Sequence, residues 1–440
     1  MTASPALLDP LFSDAEVARE FTDAEALRAM AAVEGALARA EAKVGVIPAE
    51  AVPAIERAVR SFEPDVARIA AGVESAGIPV VALVQQLRSA AAAEGAPYVH
   101  WGATTQDIMD TGLVLRLRRV LAHLEDVLVR VIARCCDLAH EHRRTLIAAR
   151  TRSQQALPTT FGLKVAGWLT PLARHRERLA QLRPRLMVVQ FGGAAGTLAA
   201  LGDRGPAVAQ ALAGELELGA PVGPWHAQRD AFAELGGWLS LVTGSLGKIG
   251  LDVAVLAQSE VGELREGGGR GGSSTMPQKA NPISSEALIT IARMNSTLLA
   301  NMHQALLHGQ ERDGAAWQLE WLTLPQMACL TGGALRHAVN LLGSLDVRAA
   351  RMRGNIDTSN GLLLAEAAAF ALTQVMRLDK AQALVKDACR AVEAGDGHLV
   401  DVLRDRCDAV IDWQALRDPA NYLGAADSMI DAAIAAARRA

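Results

Sequence analysis

Cysteine, long apolar runs, basic excess and alternating β-branched stretches are all scarce in this 440-residue chain, and each scarcity excludes something. The five cysteines, Cys135, Cys136, Cys329, Cys389 and Cys407, form no C-x-x-C pair and no Cys/His cluster at metal spacing. Reduced structural thiols are expected, and no metal. No run reaches about 18 uninterrupted apolar residues, and the tail MIDAAIAAARRA is too short and too charged to cross a bilayer, so no membrane partner is expected. The opening MTASPALLDPLFSDAEVAREF lacks a basic stretch leading into an apolar core, which reads as cytoplasmic. A formal net charge of −4 provides no basic face for a phosphate backbone and argues against a general nucleic-acid binder. Any anion bound here must be gripped by a few local cations.

What the chain does have is apolar helix-forming material. Half of it is hydrophobic, enough for a substantial core. Ala, Leu, Arg, Glu and Gln recur at helical spacing while β-branched alternation is nearly absent, which predicts an all-α fold. The segment DAEALRAMAAVEGALARAEAKVG places Leu27, Met30, Val33, Leu37 and Ala40 on one stripe and ends at Gly45. Two shorter helices are expected after it. Long helices are then predicted over Thr105–Arg144, Pro158–Arg183, Arg229–Glu263, Pro282–His308 and Pro325–Leu345. Five such helices joined by short loops point to a bundle, and apolar character on several faces, as in WLSLVTGSLGKIGLDVAVLAQ, points to packing against further subunits.

Three polar patches interrupt this pattern. In YVHWGATTQD, Thr104 as an N-cap with Asp107 three residues on makes an acidic variant of the capping box. That accounts for both residues but not for His100. In ARTRSQQALPTTFG, the group Thr151, Arg152, Gln154 and Gln155 lies between two long helices, where a solvated linker is the plain alternative. The third, GGGRGGSSTMPQKANP (267–282), is too glycine-rich to be anything but a loop. Asn281 is placed to cap the helix that starts at Pro282, so the loop abuts a helix N-terminus, where free N–H groups and the dipole favour an anion. Lys279 adds a full charge, and an alkoxide on Ser273 or Ser274 would be stabilised there, one route to a serine base. A phosphate-binding loop is disfavoured because no G-x-x-x-x-G-K-[ST] is present and no strand precedes it, while a solvated surface loop is the plain alternative.

The run GSSTMPQKANP closely resembles the signature of the fumarase/aspartase superfamily, and the likeness extends over nearly the whole chain. YVHWGATTQDIMDTGLVL, LRPRLMVVQFGGAAGTLAALG, PWHAQRD, NIDTSNGLLLAEA and DPANYLG are most similar to its cycloisomerase branch, which interconverts a small tricarboxylate diene and a lactone. The resemblance implies an N-terminal helical domain over 1–104, a central long-helix bundle over 105–348 carrying the catalytic loop 267–282, and a small helical domain over 349–440. It implies a homotetramer with active sites assembled from three subunits and no metal or organic cofactor. Ser273 would be the acid/base on a closing loop with Lys279, and His100 would stand nearby; Thr104, Thr105, Ser274, Lys279 and Asn281 would bind carboxylate, and Gln154, Gln155, Gln228 and Arg312 would be further substrate contacts.

One position departs from the superfamily pattern, since Arg152 in RTRSQ stands where many relatives carry His. Arginine cannot release a proton near neutrality, so eliminations that need an acid for an amine or hydroxide leaving group would suffer. A carboxylate leaves or adds as a stable anion and is well matched by a guanidinium fork. Arg152 therefore favours lactonisation over an adenylosuccinate-type lyase that eliminates fumarate. A catalytically silent tetrameric scaffold is the third reading, and Ser273, Lys279 and Asn281 argue against it. His226 and Arg229 are expected to cap or pair at a helix start, Trp317 and Trp321 to pack, and Glu320 to pair with a site arginine.

Overall fold

The computed structural model describes residues 7–267, 271–272, 275–276, 279–408 and 410–439. They divide into two compact units: Met1–Val127 with His175–Gly244 and Thr290–Arg336, and Leu128–Arg174 with Ser245–Ile289 and His337–Ala440.

In the first unit the Asp23–Lys43 helix buries Leu27, Met30, Val33, Leu37 and Ala40, the stripe expected from the sequence. Thr22 caps its start. Its end is a Schellman closure in which Gly45 at φ 76° lets the Val46 and Gly45 amides reach the Glu41 and Ala42 carbonyls. It packs with the Gly205–Leu216 helix around Val208, Ala209 and Leu212. Three helices follow where two were expected: Val52–Arg60, Val66–Ala76 and Val80–Ala90. Asp65 caps the second, and Gly77 in the left-handed region stops it before Pro79, so short punctuation splits one apparent element.

The long helices run Thr105–Glu141, Phe161–Leu186, Asp230–Leu256, Ile283–Gln304 and Gly314–Gly343. The last begins eleven residues before the predicted start at Pro325, which sits inside it. Asp313 accepts from the amides of Ala315 and Ala316, and this cap nucleates the helix far enough upstream to absorb the proline. Asp230–Leu256 is long and apolar enough to span a membrane by length and composition, yet half of its most apolar window is buried within the protein.

The all-α scaffold carries one departure of consequence. Residues 149–162 are not a linker: Leu146–Thr151 and Gln154–Thr160 pair antiparallel, with Thr151 opposite Gln154 and Arg150 opposite Gln155. Arg152 and Ser153 form the two-residue turn at φ 51° and 67°. Such a turn usually draws Asn-Gly, so Arg-Ser gave no hairpin signal. In the second unit a separate core joins Leu372, Val385, Leu399 and Leu403. All five cysteines are free, and burial pushes the Cys135 thiol up to about 12, which makes it chemically inert.

Candidate active site

The first unit brings together His100, Thr104, Gln228 and Arg312 on a heavily hydrogen-bonded base, and its organiser is Asp107. This buried carboxylate does accept from the Thr104 amide (3.0 Å), the reciprocal half of the expected capping box. It also accepts from the amides of Gly192 (3.0 Å) and Gly193 (2.9 Å), and His226 Nε2 lies 2.8 Å from its Oδ1. One side chain thus ties the 100–104 turn, the 192–193 loop and the 225–229 segment together. Close packing enforces the geometry at Gly192, where a Cβ would clash with Pro224.

One turn further along the same helix, Asp110 meets Arg229. The guanidinium binds Asp110 (2.6 and 3.2 Å) and Glu320 (2.9 Å through Nε, 2.5 Å through Nη2), and lies over the rings of Trp225 and Phe232. Trp317 donates to Asp110 at 3.0 Å. Glu320 is therefore the buried partner of an arginine, as expected, and Trp317 and Trp321 pack edge to face at 4.7 Å. The triad holds two carboxylates and one cation, a net negative charge out of water. Burial alone would lower the Arg229 pKa, but Asp110 and Glu320 outweigh that and hold it above its ordinary value. Burial raises Glu320 above the usual carboxylate range despite the Arg229 charge that pulls it down.

Arg312 is the contrast. Its guanidinium donates to Thr104 Oγ1 at 3.0 Å and to the Ala194 carbonyl at 2.8 Å, and its Nε is buried with no partner. No carboxylate pairs with it among the described residues. A guanidinium held by neutral oxygens keeps its charge available to an incoming anion. Replacing it should weaken binding: Arg312→Met is expected to raise KM by about 10- to 100-fold, the worth of a charge-assisted hydrogen bond or two. Arg312→Lys should recover little, because an ammonium cannot bridge Thr104 and Ala194 together. Steady-state kinetics of both variants check this.

Of the other expected residues in this unit, Thr105 is half-buried at the first position of its helix, and Gln228 is exposed with a long contact to the Pro224 carbonyl (3.4 Å).

The second unit carries Arg152, Gln154, Gln155, Lys279 and Asn281; Ser273 and Ser274 lie outside the described residues. Arg152 stands exposed at the hairpin tip, with Gln154 and Gln155 exposed beside it on the returning strand. The hairpin is anchored through Arg150, which grips the fully buried Glu263 with two bonds (2.8 and 2.7 Å), and Glu263 is also held by Asn355 (2.8 Å).

The glycine-rich loop is closed at its base. The Asn281 amide donates to the Gly271 carbonyl (2.9 Å), and Gly272 bridges Ala280. Gly271 is required for contact as well as freedom, since it sits at φ 79° and a Cβ there would collide with the Asn281 carbonyl. Gly271→Ala is expected to cost about 1–3 kcal/mol of local stability by breaking this closure, seen as a lowered thermal midpoint and a lowered kcat.

The helix after the loop is not capped as expected. It begins at Ile283, and the amides of Ser284 (3.1 Å) and Ser285 (2.8 Å) donate to the Glu266 carboxylate, which also accepts from Ser285 Oγ (2.6 Å). An anion does occupy that helix N-terminus, but it is the protein's own Glu266 in place of the Asn281 side chain. Lys279 is exposed and has no ion pair among the described residues.

Sequence reasoning missed Glu266, the wider reach of Asp107, and Glu34, which lies 2.6 Å from the His100 ring. Only Glu34 left a signal: with Glu41 it repeats at i, i+7 inside an apolar stripe, where a solvated acid has no place.

Known proteins resemble this chain over nearly its whole length. A family model described as lyase matches residues 12–294. A 3-carboxy-cis,cis-muconate cycloisomerase of Pseudomonas aeruginosa is 47% identical over 439 residues, covering 98% of this chain and 96% of that one. Its counterpart from Bradyrhizobium diazoefficiens is 43% identical over 98% of both. The solved structure of 3-carboxy-cis,cis-muconate lactonizing enzyme from Pseudomonas putida superposes with a TM-score of 0.92 at 40% identity, covering 99% of each chain. With a family match over more than half its length and relatives alike nearly end to end, the chain belongs to the lyase family of the fumarase/aspartase superfamily.

Proposed function

We propose that this protein is a cycloisomerase interconverting 3-carboxy-cis,cis-muconate and 4-carboxymuconolactone, working as a homotetramer whose active sites take residues from three subunits. Enzymes of the superfamily act on small carboxylates and are typically oligomeric. The observation that carries the reading is Arg312, a half-buried cation held, among the described residues, only by neutral oxygens and so available to a substrate carboxylate. The names carried by relatives more than 40% identical support the choice of substrate.

In this reading the triacid is held by Arg312 and Thr104 from one side, and by Lys279, Ser274, Asn281 and the hairpin residues Arg152, Gln154 and Gln155 from another subunit. Thr105 and Gln228 complete the contacts, and His100 faces the substrate. One carboxylate oxygen is pressed against an alkene carbon, which converts a bimolecular encounter into a positioned one. A C–O bond forms, the π pair moves onto the conjugated carboxylate as an aci-carboxylate, and backbone amides with Lys279 stabilise that charge. Ser273 delivers a proton to the adjacent carbon, and removes it in the reverse direction. The central segment 105–348 carries most of this machinery, His100 and Thr104 coming from the end of the 1–104 domain, with the 349–440 domain following it in sequence.

Lactonisation consumes the conjugated diene and one proton per turnover. Purified protein mixed with 3-carboxy-cis,cis-muconate is expected to bleach the diene absorbance with matching proton uptake, and to leave adenylosuccinate intact. Cleavage of adenylosuccinate with an unchanged diene would overturn the reading.

A further inference from the structure

His100 is held in a manner that its place in a turn does not require. It adopts φ 64°, a left-handed conformation that a non-glycine residue takes only at an energetic cost. Its ring Nδ1 lies 2.6 Å from Glu34 Oε1, and Glu34 is fully enclosed within the apolar face of the Asp23–Lys43 helix. The other oxygen, Oε2, has no hydrogen-bond partner, so the ring is the one polar contact of this carboxylate among the described residues.

Burying a carboxylate on a single partner opposes folding. No second hydrogen-bond partner among the described residues shares the load. Glu41, two turns on, is also buried with both oxygens unpartnered, and burial followed by the Glu34 charge pushes its carboxyl up to about 9. It is neutral near pH 7, which leaves Glu34 facing only the imidazole. The ring's Nε2 has no partner among the described residues, and His100 is four residues before Thr104, the hydroxyl that meets Arg312. A carboxylate on one ring nitrogen sets which nitrogen carries the proton and how the ring is turned.

We propose that Glu34 is a positioning residue for His100: its carboxylate keeps the proton on Nδ1 and turns Nε2 toward the substrate. The inference rests on the reading that His100 faces substrate. It does not depend on the identity of the group that transfers the proton.

The test combines kinetics with the nitrogen spectrum of the ring. Full-length protein labelled with 15N-histidine is compared as wild type, Glu34→Gln, His100→Gln and the double variant, the His100 signals being those lost in His100→Gln. A hydrogen-bonded Nδ1–H is expected in the wild type and its disappearance in Glu34→Gln. Glu34→Gln should lower kcat by about 10- to 100-fold, the usual effect of removing a residue that orients a functional histidine, with KM changed less than about threefold. In the His100→Gln background the same change should cost almost nothing further. If Glu34→Gln fails to fold, Glu34→Asp carries the cycle, since it keeps the charge but withdraws it from Nδ1. An unaltered ring spectrum, or a loss from Glu34→Gln that persists undiminished without His100, overturns the proposal while leaving the cycloisomerase reading in place. If the wild type fails to consume the diene, that reading falls, and the ring spectrum alone decides: a signature lost in Glu34→Gln upholds the assignment and an unchanged one overturns it.

Discussion

Ser273→Ala is expected to lower kcat by about 100- to 10,000-fold, the range for losing a positioned acid/base, while KM stays within about threefold. The two effects separate because, in the proposed mechanism, the hydroxyl is needed only when a proton moves, whereas Arg312, Lys279 and their neighbours would hold the carboxylates throughout. Ser273 follows directly on Gly272, whose backbone bridge to Ala280 closes the loop base. Alanine there should leave the loop's anchoring unchanged. The diene absorbance at saturating substrate gives kcat directly. A fall of less than tenfold would assign proton transfer to another group and leave Ser273 a binding role.

Arg229→Met is expected to destabilise the protein by about 3–5 kcal/mol at pH 7 or above, the cost of orphaning a buried charge partner. Here two carboxylates lose their counter-charge, since Asp110 and Glu320 share the one guanidinium, although Asp110 keeps the Trp317 indole as a donor. The aliphatic stem of Met preserves much of the packing between Trp225 and Phe232, so the loss is mainly electrostatic. The pH dependence follows from the direction of the carboxyl shift. Burial raises Glu320 in the native state even with Arg229 present, so the folded form binds its proton more readily than the unfolded form does. Stability from such a group is present at low pH and is lost as pH rises through its native value. Without Arg229 the Glu320 carboxyl loses the charge that pulls it down and binds its proton more readily still, so the deficit should be largest near pH 8 and shrink as pH falls toward 5. Thermal midpoints of wild type and variant across that range check it. A deficit independent of pH would mean that packing around the rings, not charge, is what Arg229 supplies.

Helix content was legible because it rests on local chemistry. The stripe from Leu27 to Ala40, the stop at Gly45 and the long periodic runs are properties of consecutive residues, and the structure reproduces them. The helix containing Pro325 was misjudged at its start because one cap, Asp313, outweighs a proline that tertiary packing tolerates. The hairpin at 146–160 was invisible for a related reason: Arg152 and Ser153 adopt turn angles that their own preferences disfavour, and pairing of Thr151 with Gln154 holds them there.

The candidate site divides along the same line. Its residue types and the motif that names the superfamily are written in the chain, so Thr104, Lys279, Asn281 and Arg312 could be singled out before any fold was known. Which arginine is free and which is neutralised could not. Arg229 and Arg312 look alike in sequence, and only their surroundings separate them: two carboxylates around the first, a hydroxyl and carbonyls around the second. The same holds for the acid at the helix after the glycine-rich loop, where Glu266 reaches the amides that Asn281 was expected to satisfy, and for Glu34 beneath His100. Local sequence determined the helices, the loop and the cast of polar residues, because backbone propensity and apolar period act over a few positions. Tertiary structure alone decided the charge state and orientation of those residues, because electrostatics and desolvation depend on neighbours that lie tens or hundreds of positions away.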